Sequence, residues 1–302
     1  MQNLTGIITS EEYYCPSTPT EPKTKIIFSA INIPLSITTF VGNVLVIAVL
    51  PKVSSLHPPS KLLLGCLAST NLCVSLVAQP LYIILLLSSE YSKPCYYSGV
   101  LFNPTSTIFC AVSLMTLTAI SVDRLLALTL GLQYRQVVTL RRVWVIVVCV
   151  WLYSTKNAVI SIYILPIGYS IFAIEVILCI IVSTCCYTKI YQVLRQNQVH
   201  LQDNVRQGQQ NGEQIALNVA RYRKTVSTAL WVQITLVACY LPFASVAAAV
   251  FFYGPLPNLA WHPPLALVML NSTLSPFLYC WKIREMKQAV KDTITQMCCF
   301  CN

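Results

Sequence analysis

The sequence predicts an all-α membrane protein: a seven-transmembrane helix bundle with a C-terminal amphipathic interfacial helix. Three observations carry that prediction. The chain of 302 residues is 56% hydrophobic and only 10% charged, where a soluble domain carries about 25% charged residues. Long stretches contain no Asp, Glu, Lys or Arg. The 20 Lys+Arg, against 10 Asp+Glu, are distributed very unevenly between alternate loops.

The spans follow in order. Residues 26–51, 62–89 and 94–122 are free of all four charged types. Each exceeds the roughly 20 residues a helix needs to cross a bilayer. Residues 143–188 hold only Lys156 and Glu175, with Pro166, Ile167 and Gly168 near the middle. Residues 225–281 hold none, with Pro255, Pro257, Pro263 and Pro264 between their halves. Each of these two stretches is long enough for a helical hairpin, so the total is seven spans. Lipid requires the backbone to satisfy its own polar groups, which leaves helices or closed barrels. The runs are continuous rather than alternating segments of about ten residues, so they are helices. The chain divides into an N-terminal segment (1–25), the bundle (26–281) and an amphipathic helix with tail (282–302). In the last part Ile283, Met286, Val290, Ile294 and Met297 recur at helical spacing between basic residues, the pattern of a helix lying in the interface.

Charge sets the orientation. With the N-terminus outside, the outer segments hold Lys23, Lys25 and Lys93. Sixteen further Lys and Arg, from Lys52 to Lys291, fall on inner segments and helix ends. That asymmetry predicts an extracellular N-terminus and a cytoplasmic C-terminus. The net charge of +10 is therefore an orientation signal, and no nucleic-acid partner is expected. The N-terminus lacks a basic start and an apolar core, so the first span is expected to serve as its own insertion signal. Asn3-Leu4-Thr5 is a glycosylation sequon on the outer side. Of 14 cysteines, nine lie in spans, where Cys acts as a small apolar residue. Cys15 and Cys95 share the outer side; spacing alone leaves open whether they pair. Cys298, Cys299 and Cys301 follow the amphipathic helix and are the palmitoylation candidates. No spacing suggests a metal site.

Several short motifs fall in order on these spans: Gly42-Asn43 with Val46, "LASTN" (67–71), "DRLLALTLGLQY" (123–134), Trp151, Tyr187, "CYLP" (239–242) and "NSTLSPFLY" (271–279). In this order they resemble the rhodopsin-like (class A) G-protein-coupled receptors over roughly residues 26–297. The resemblance implies a multi-pass plasma-membrane receptor without enzymatic activity or cofactor. An extracellular small-molecule, lipid or peptide ligand would bind in the outer half of the bundle. A heterotrimeric G protein would be activated through the inner ends of helices 3, 5 and 6, with membrane lipid as the surroundings. By motif offset the pocket is expected to include Ser106, Cys110, Tyr240 and Phe243. The switch would comprise Asp123, Arg124, Tyr187, Pro242, Ser275, Pro276 and Tyr279. Arg124, Leu132, Arg223 and Lys224 would meet the G protein.

The departures from the family pattern are informative. Asn71 and Ser275 replace the acid and amide that, with a serine matched by Ser113, usually hold a sodium ion. Without a formal negative charge a cation is poorly compensated in a membrane interior, so a neutral hydrogen-bonded cluster is expected. Tyr240 replaces a tryptophan and brings a hydroxyl that needs a partner. Cys179 replaces a proline, and Gly99 a cysteine. The second outer loop has nearly vanished. Receptors for melanocortins, cannabinoids and lysophospholipids share some of these absences, and the subgroup expectation leans that way. Ser106 stands where amine receptors carry an acid, and Met269 where opsins carry their retinal lysine. The helix 6 position that often restrains the arginine is Tyr222, which leaves Asp123 as the anion for Arg124.

Lys156 and Glu175 are ionisable groups inside the membrane, which are costly and usually paired or functional. They lie at similar depth on neighbouring helices. Three readings stay open: a structural pair, a Glu175 contact to a cationic or hydrogen-bonding ligand, or a neutral or snorkelling arrangement. A receptor-like protein with weak, constitutive or no signalling is the main functional alternative. A transporter would need more midplane charge, and a hydrolase a nucleophile or paired acids. His57, His200 and His262 all fall in expected loops.

Overall fold

The computed structural model describes Cys15 and residues 22–54, 56–89, 92–163, 165–206, 212–254, 256, 258–282 and 284–300. Side chains at 165–166, 197–198, 200–230, 232, 258, 279–282, 284 and 297–300 are outside the description. Eight long helices account for nearly all of it: α1 Pro22–Val49, α2 Pro58–Leu87, α3 Lys93–Thr129, α4 Leu140–Tyr163, α5 Leu165–Arg206, α6 Gly212–Tyr253, α7 His262–Lys282 and α8 Arg284–Phe300. No strand occurs among the described residues. Helices α1 to α6 each contain a stretch long and apolar enough to cross a membrane. α7 completes the bundle, packing against α6 and α1. α3 is the hub, packed on α2, α4 and α5. The half of the bundle on the N-terminal side is termed outer, the other half inner.

Local chemistry explains the helix ends and bends. α2 starts with Pro58 in its first turn, where a missing N–H costs nothing. α3 is capped by Ser92, whose hydroxyl accepts from the Cys95 N–H. Within α2 a π turn spans Val74–Ala78, just before Pro80, whose ring cannot donate to the preceding turn and crowds its carbonyl. Cys15 is disulfide-bonded to Cys95, which answers the pairing question and ties the N-terminal segment to the start of α3.

Two glycines permit close helix contacts. A methyl on Gly42 of α1 would meet Pro276 Cγ of α7 at 3.0 Å. Between α4 and α5 only residue 164 intervenes, and a methyl on Gly168 would stand 2.8 Å from Ser161 Cα. The lost second outer loop is thus a tight helical corner that only glycine fits. The core extends from Leu64 and Leu67 near the inner end through Leu114, Leu236 and Tyr240 to Phe243 and Ala247 in the outer half. Met286 of α8 is fully buried against it, while Ile294 on the same helix is exposed.

Candidate ligand site and intracellular switch

In the outer half, aromatic side chains of α5, α6 and the helical turn Asn258–Trp261 just before α7 form a box. Tyr169 and Trp261 lie 4.9 Å apart between ring centres, Phe243 and Trp261 5.6 Å, and Phe172 and Phe243 5.3 Å. Such tilted and edge-to-face rings are mutually attractive beyond their buried area. Asn103 of α3 donates its Nδ2 to the Tyr169 hydroxyl at 3.1 Å, while its side-chain oxygen Oδ1 is buried without a partner. Of the expected pocket residues, Phe243 is a wall of the box. Tyr240 and Cys110 belong to the same packed cluster. Ser106 is half-buried and bonds only backward, to Asn103 O at 3.0 Å.

Glu175 is one turn inward of Phe172. It is 4% exposed, and neither carboxyl oxygen makes a hydrogen bond. It lies close enough to Cys110 and Cys179 to act on them electrostatically. Lys156 does not pair with it. The lysine is exposed on the lipid-facing side of α4, with Nζ 5.1 Å from the Tyr153 ring centre. The neighbouring residue, Asn157, is the one that interacts with Glu175, although its Nδ2 makes no hydrogen bond. Equal depth was the right criterion for nearness but not for facing. One residue along a helix turns a side chain by about 100°, and that turn separates Lys156 from Asn157. Seven residues below the end of α4, roughly 10 Å, Lys156 can snorkel toward the interface.

Below the box the Tyr240 hydroxyl has its partner: Asn271 Nδ2 donates to it at 3.3 Å. The positions matched to the family's sodium site bond to protein. Ser113 donates to Asn71 Oδ1 at 3.1 Å, and Asn71 Nδ2 to Asn43 Oδ1 at 3.4 Å. Asn43 in turn donates to Ser272 O at 3.3 Å, and Ser275 to Asn271 O at 2.8 Å. Pro242 and Pro276 lie within α6 and α7.

At the inner end Asp123 is 4% exposed and held from three sides. Tyr134 donates to Oδ1 at 2.6 Å and Ser60 to Oδ2 at 2.8 Å. The Arg124 guanidinium lies 3.5 Å from Oδ2. Burial, and then the hydrogen bond to Asp123, push the Tyr134 phenol above its ordinary pKa, so it remains a donor. Tyr134 and Ser60 are the partners that sequence reasoning missed; Tyr134 closes the string "DRLLALTLGLQY", which was the available signal. The Tyr187 hydroxyl stands 3.2 Å from Ser121 Oγ. Leu132 is 96% exposed on the helical turn Gly131–Gln133, where Gly131 takes the left-handed conformation at φ 52°. Asn3 and Cys301 lie outside the described residues, as do the side chains of Tyr279, Arg223, Lys224, Cys298 and Cys299.

The profile of the family described as "7 transmembrane receptor (rhodopsin family)" matches residues 42–168, from within α1 to the start of α5. Similar proteins extend further along the chain. Adenosine receptor A3 of Ovis aries is 25% identical over 303 aligned positions, 92% of each chain. Its counterpart in Bos taurus is 25% identical, covering 91% of this chain, and that of Canis lupus familiaris 23%, covering 87%. These relatives give no support to the melanocortin, cannabinoid or lysophospholipid leaning. Profile match, relatives and helix bundle together make the chain a multi-pass membrane protein that is similar to the rhodopsin-like receptors.

Proposed function

We propose that the protein is a plasma-membrane G-protein-coupled receptor for a compact aromatic ligand that carries a hydrogen-bond donor or a cation. The observation behind the ligand class is Glu175: a buried carboxyl without a hydrogen bond, one turn below an aromatic box. Burying a carboxylate unpartnered is costly, and a donor-bearing ring in the box would satisfy it while stacking on Trp261 and Phe243. Cys110 and Tyr240 would form the floor, with Ser106 on the α3 side. The A3 relatives make adenosine, a planar aromatic amine, the first probe.

Ligand binding would favour outward movement of the inner end of α6 and release Arg124 from Asp123. Arg124, Leu132, Arg223 and Lys224 would then meet the G protein, with Tyr187 and Tyr279 holding the open state and Pro242, Ser275 and Pro276 at its hinges. The test is competition binding and cyclic-AMP response to adenosine and amine-bearing heteroaromatics, in the parent and in Glu175→Gln. We expect Glu175→Gln to weaken a cationic or donor ligand at least about tenfold, the usual consequence of losing a buried charge-assisted bond. Unchanged affinity in a variant that reaches the surface would remove Glu175 from the site. A second reading, elevated basal signalling, is favoured by the ion pair at Arg124, where Asp123, its own chain neighbour, is the anion found among the described residues.

A further inference from the structure

The outer halves of α1, α2 and α7 meet in a fixed register. α1 and α7 run parallel. Thr39 and Thr273 share a hydrogen bond of 2.6 Å, and three turns outward Phe28 packs on His262 at 5.4 Å, with the same sequence separation of 234. α1 and α2 run antiparallel, with Ser36 donating to Ser75 O at 2.9 Å. One turn outward of that contact Asn32 stands level with Gln79, and a further turn places Ser29 level with Tyr82. The residue of α7 at the level of Asn32 is the small Ala266. The π turn Val74–Ala78 ends just before Gln79.

This seam holds polar atoms that no group among the described residues satisfies. Gln79 and Asn32 are 0% exposed and Ser29 4%. Both ends of the Gln79 amide, Asn32 Oδ1, Ser29 Oγ and His262 Nε2 lack partners. The remaining groups are engaged: Asn32 Nδ2 donates to Phe28 O at 2.8 Å, and the Tyr82 hydroxyl bonds His262 Nδ1 at 2.8 Å. Unmade bonds at such depth are expensive. Around Gln79, Asn32 and Ser29 the lining offers donors and acceptors but no formal charge, the Lys25 ammonium lying outward near His262, so a bare ion beside the two amides would be poorly compensated. The seam is also separate from the aromatic box. Tyr82 stacks on Phe102 at 5.3 Å, and these two pack with Met269 in their own buried cluster.

We propose that this seam is a second binding site, which takes an uncharged hydrogen-bonding group, a carboxamide or hydroxyl, of a small ligand or of a lipid glycerol. Gln79 and Asn32 are its anchors, Ser29 a further partner, and His262 Nε2 stands at its outer end.

The test uses the full chain in phosphatidylcholine nanodiscs and follows the unfolding midpoint. Soluble probes are benzamide, uncharged, with benzoate and benzylammonium as charged comparators; monoolein added to the bilayer is the lipid probe. An uncharged probe should raise the midpoint, and Gln79→Leu and Asn32→Leu should each need at least about tenfold more of it. Should one variant fail to fold, the other carries the comparison. A response to benzamide points to a soluble ligand, one to monoolein to a lipid, and either supports the site. The proposal is overturned if neither uncharged probe gives a response dependent on Gln79 or Asn32. It is equally overturned if charged probes respond alike, or if the benzamide response survives Gln79→Leu and is lost in Phe243→Ala. That last result would place the probe in the aromatic box, and none of these outcomes bears on adenosine or Glu175.

Discussion

Replacing Tyr134 by Phe removes one oxygen and leaves the ring that packs in the core beside Asp123. The two carboxylate oxygens of Asp123 are unequally served: Ser60 and Arg124 share Oδ2, while Tyr134 alone serves Oδ1, at 2.6 Å. The substitution therefore leaves a buried carboxylate oxygen without a partner. A hydrogen bond to a charged group is worth about 1.5–3 kcal/mol. If the open state lets Asp123 reach water, that amount is lost mainly from the resting state. At about 1.4 kcal/mol per factor of ten, the resting-to-open ratio should shift by roughly ten- to a hundredfold. From an open population on the order of 1%, basal signalling should rise severalfold or more. Ser60→Ala should do less, because Oδ2 keeps the guanidinium. The assay is ligand-free nucleotide exchange on G proteins in membranes holding equal amounts of surface receptor. Basal exchange in Tyr134→Phe equal to the parent, alongside a raised Asp123→Asn, would refute the idea that this bond restrains the switch.

Other expectations follow from close contacts and from the neutral polar cluster. Gly168→Ala forces α4 and α5 apart at Ser161, and overpacking of this kind costs about 1–3 kcal/mol. The unfolding midpoint should fall measurably, and an unchanged midpoint would mean that the corner is looser than described. Exchanging sodium for potassium should leave ligand affinity unaltered, because the oxygens at Asn71, Ser113 and Ser275 are neutral and bonded to protein. Asn71→Asp should introduce sodium sensitivity, and its absence would count against the charge explanation.

Much of the fold was legible because a bilayer imposes a simple rule. Charge-free runs of sufficient length become helices, and the Pro-Gly corner at 166–168 marks where α4 turns into α5. Site geometry was less legible, for a reason that single residues illustrate. Depth along a helix can be counted, but the direction of a side chain cannot, so Asn157 rather than Lys156 approaches Glu175. Ser60 lies 63 positions from Asp123, and no local pattern announces such a partner. Tyr169 and Trp261 flank loops, where aromatic residues serve many roles, and only packing shows that they share a box. The unpartnered polar atoms of Gln79 and Asn32 are invisible in sequence, because any buried amide could find a partner.

The most direct measurement compares ligand-free and ligand-driven G-protein nucleotide exchange in the parent, Asp123→Asn and Arg124→Ala, at matched surface expression. A receptor whose Arg124 is restrained chiefly by Asp123 and then meets the G protein predicts raised basal exchange in Asp123→Asn and loss of both basal and driven exchange in Arg124→Ala. Three indistinguishable traces would contradict it.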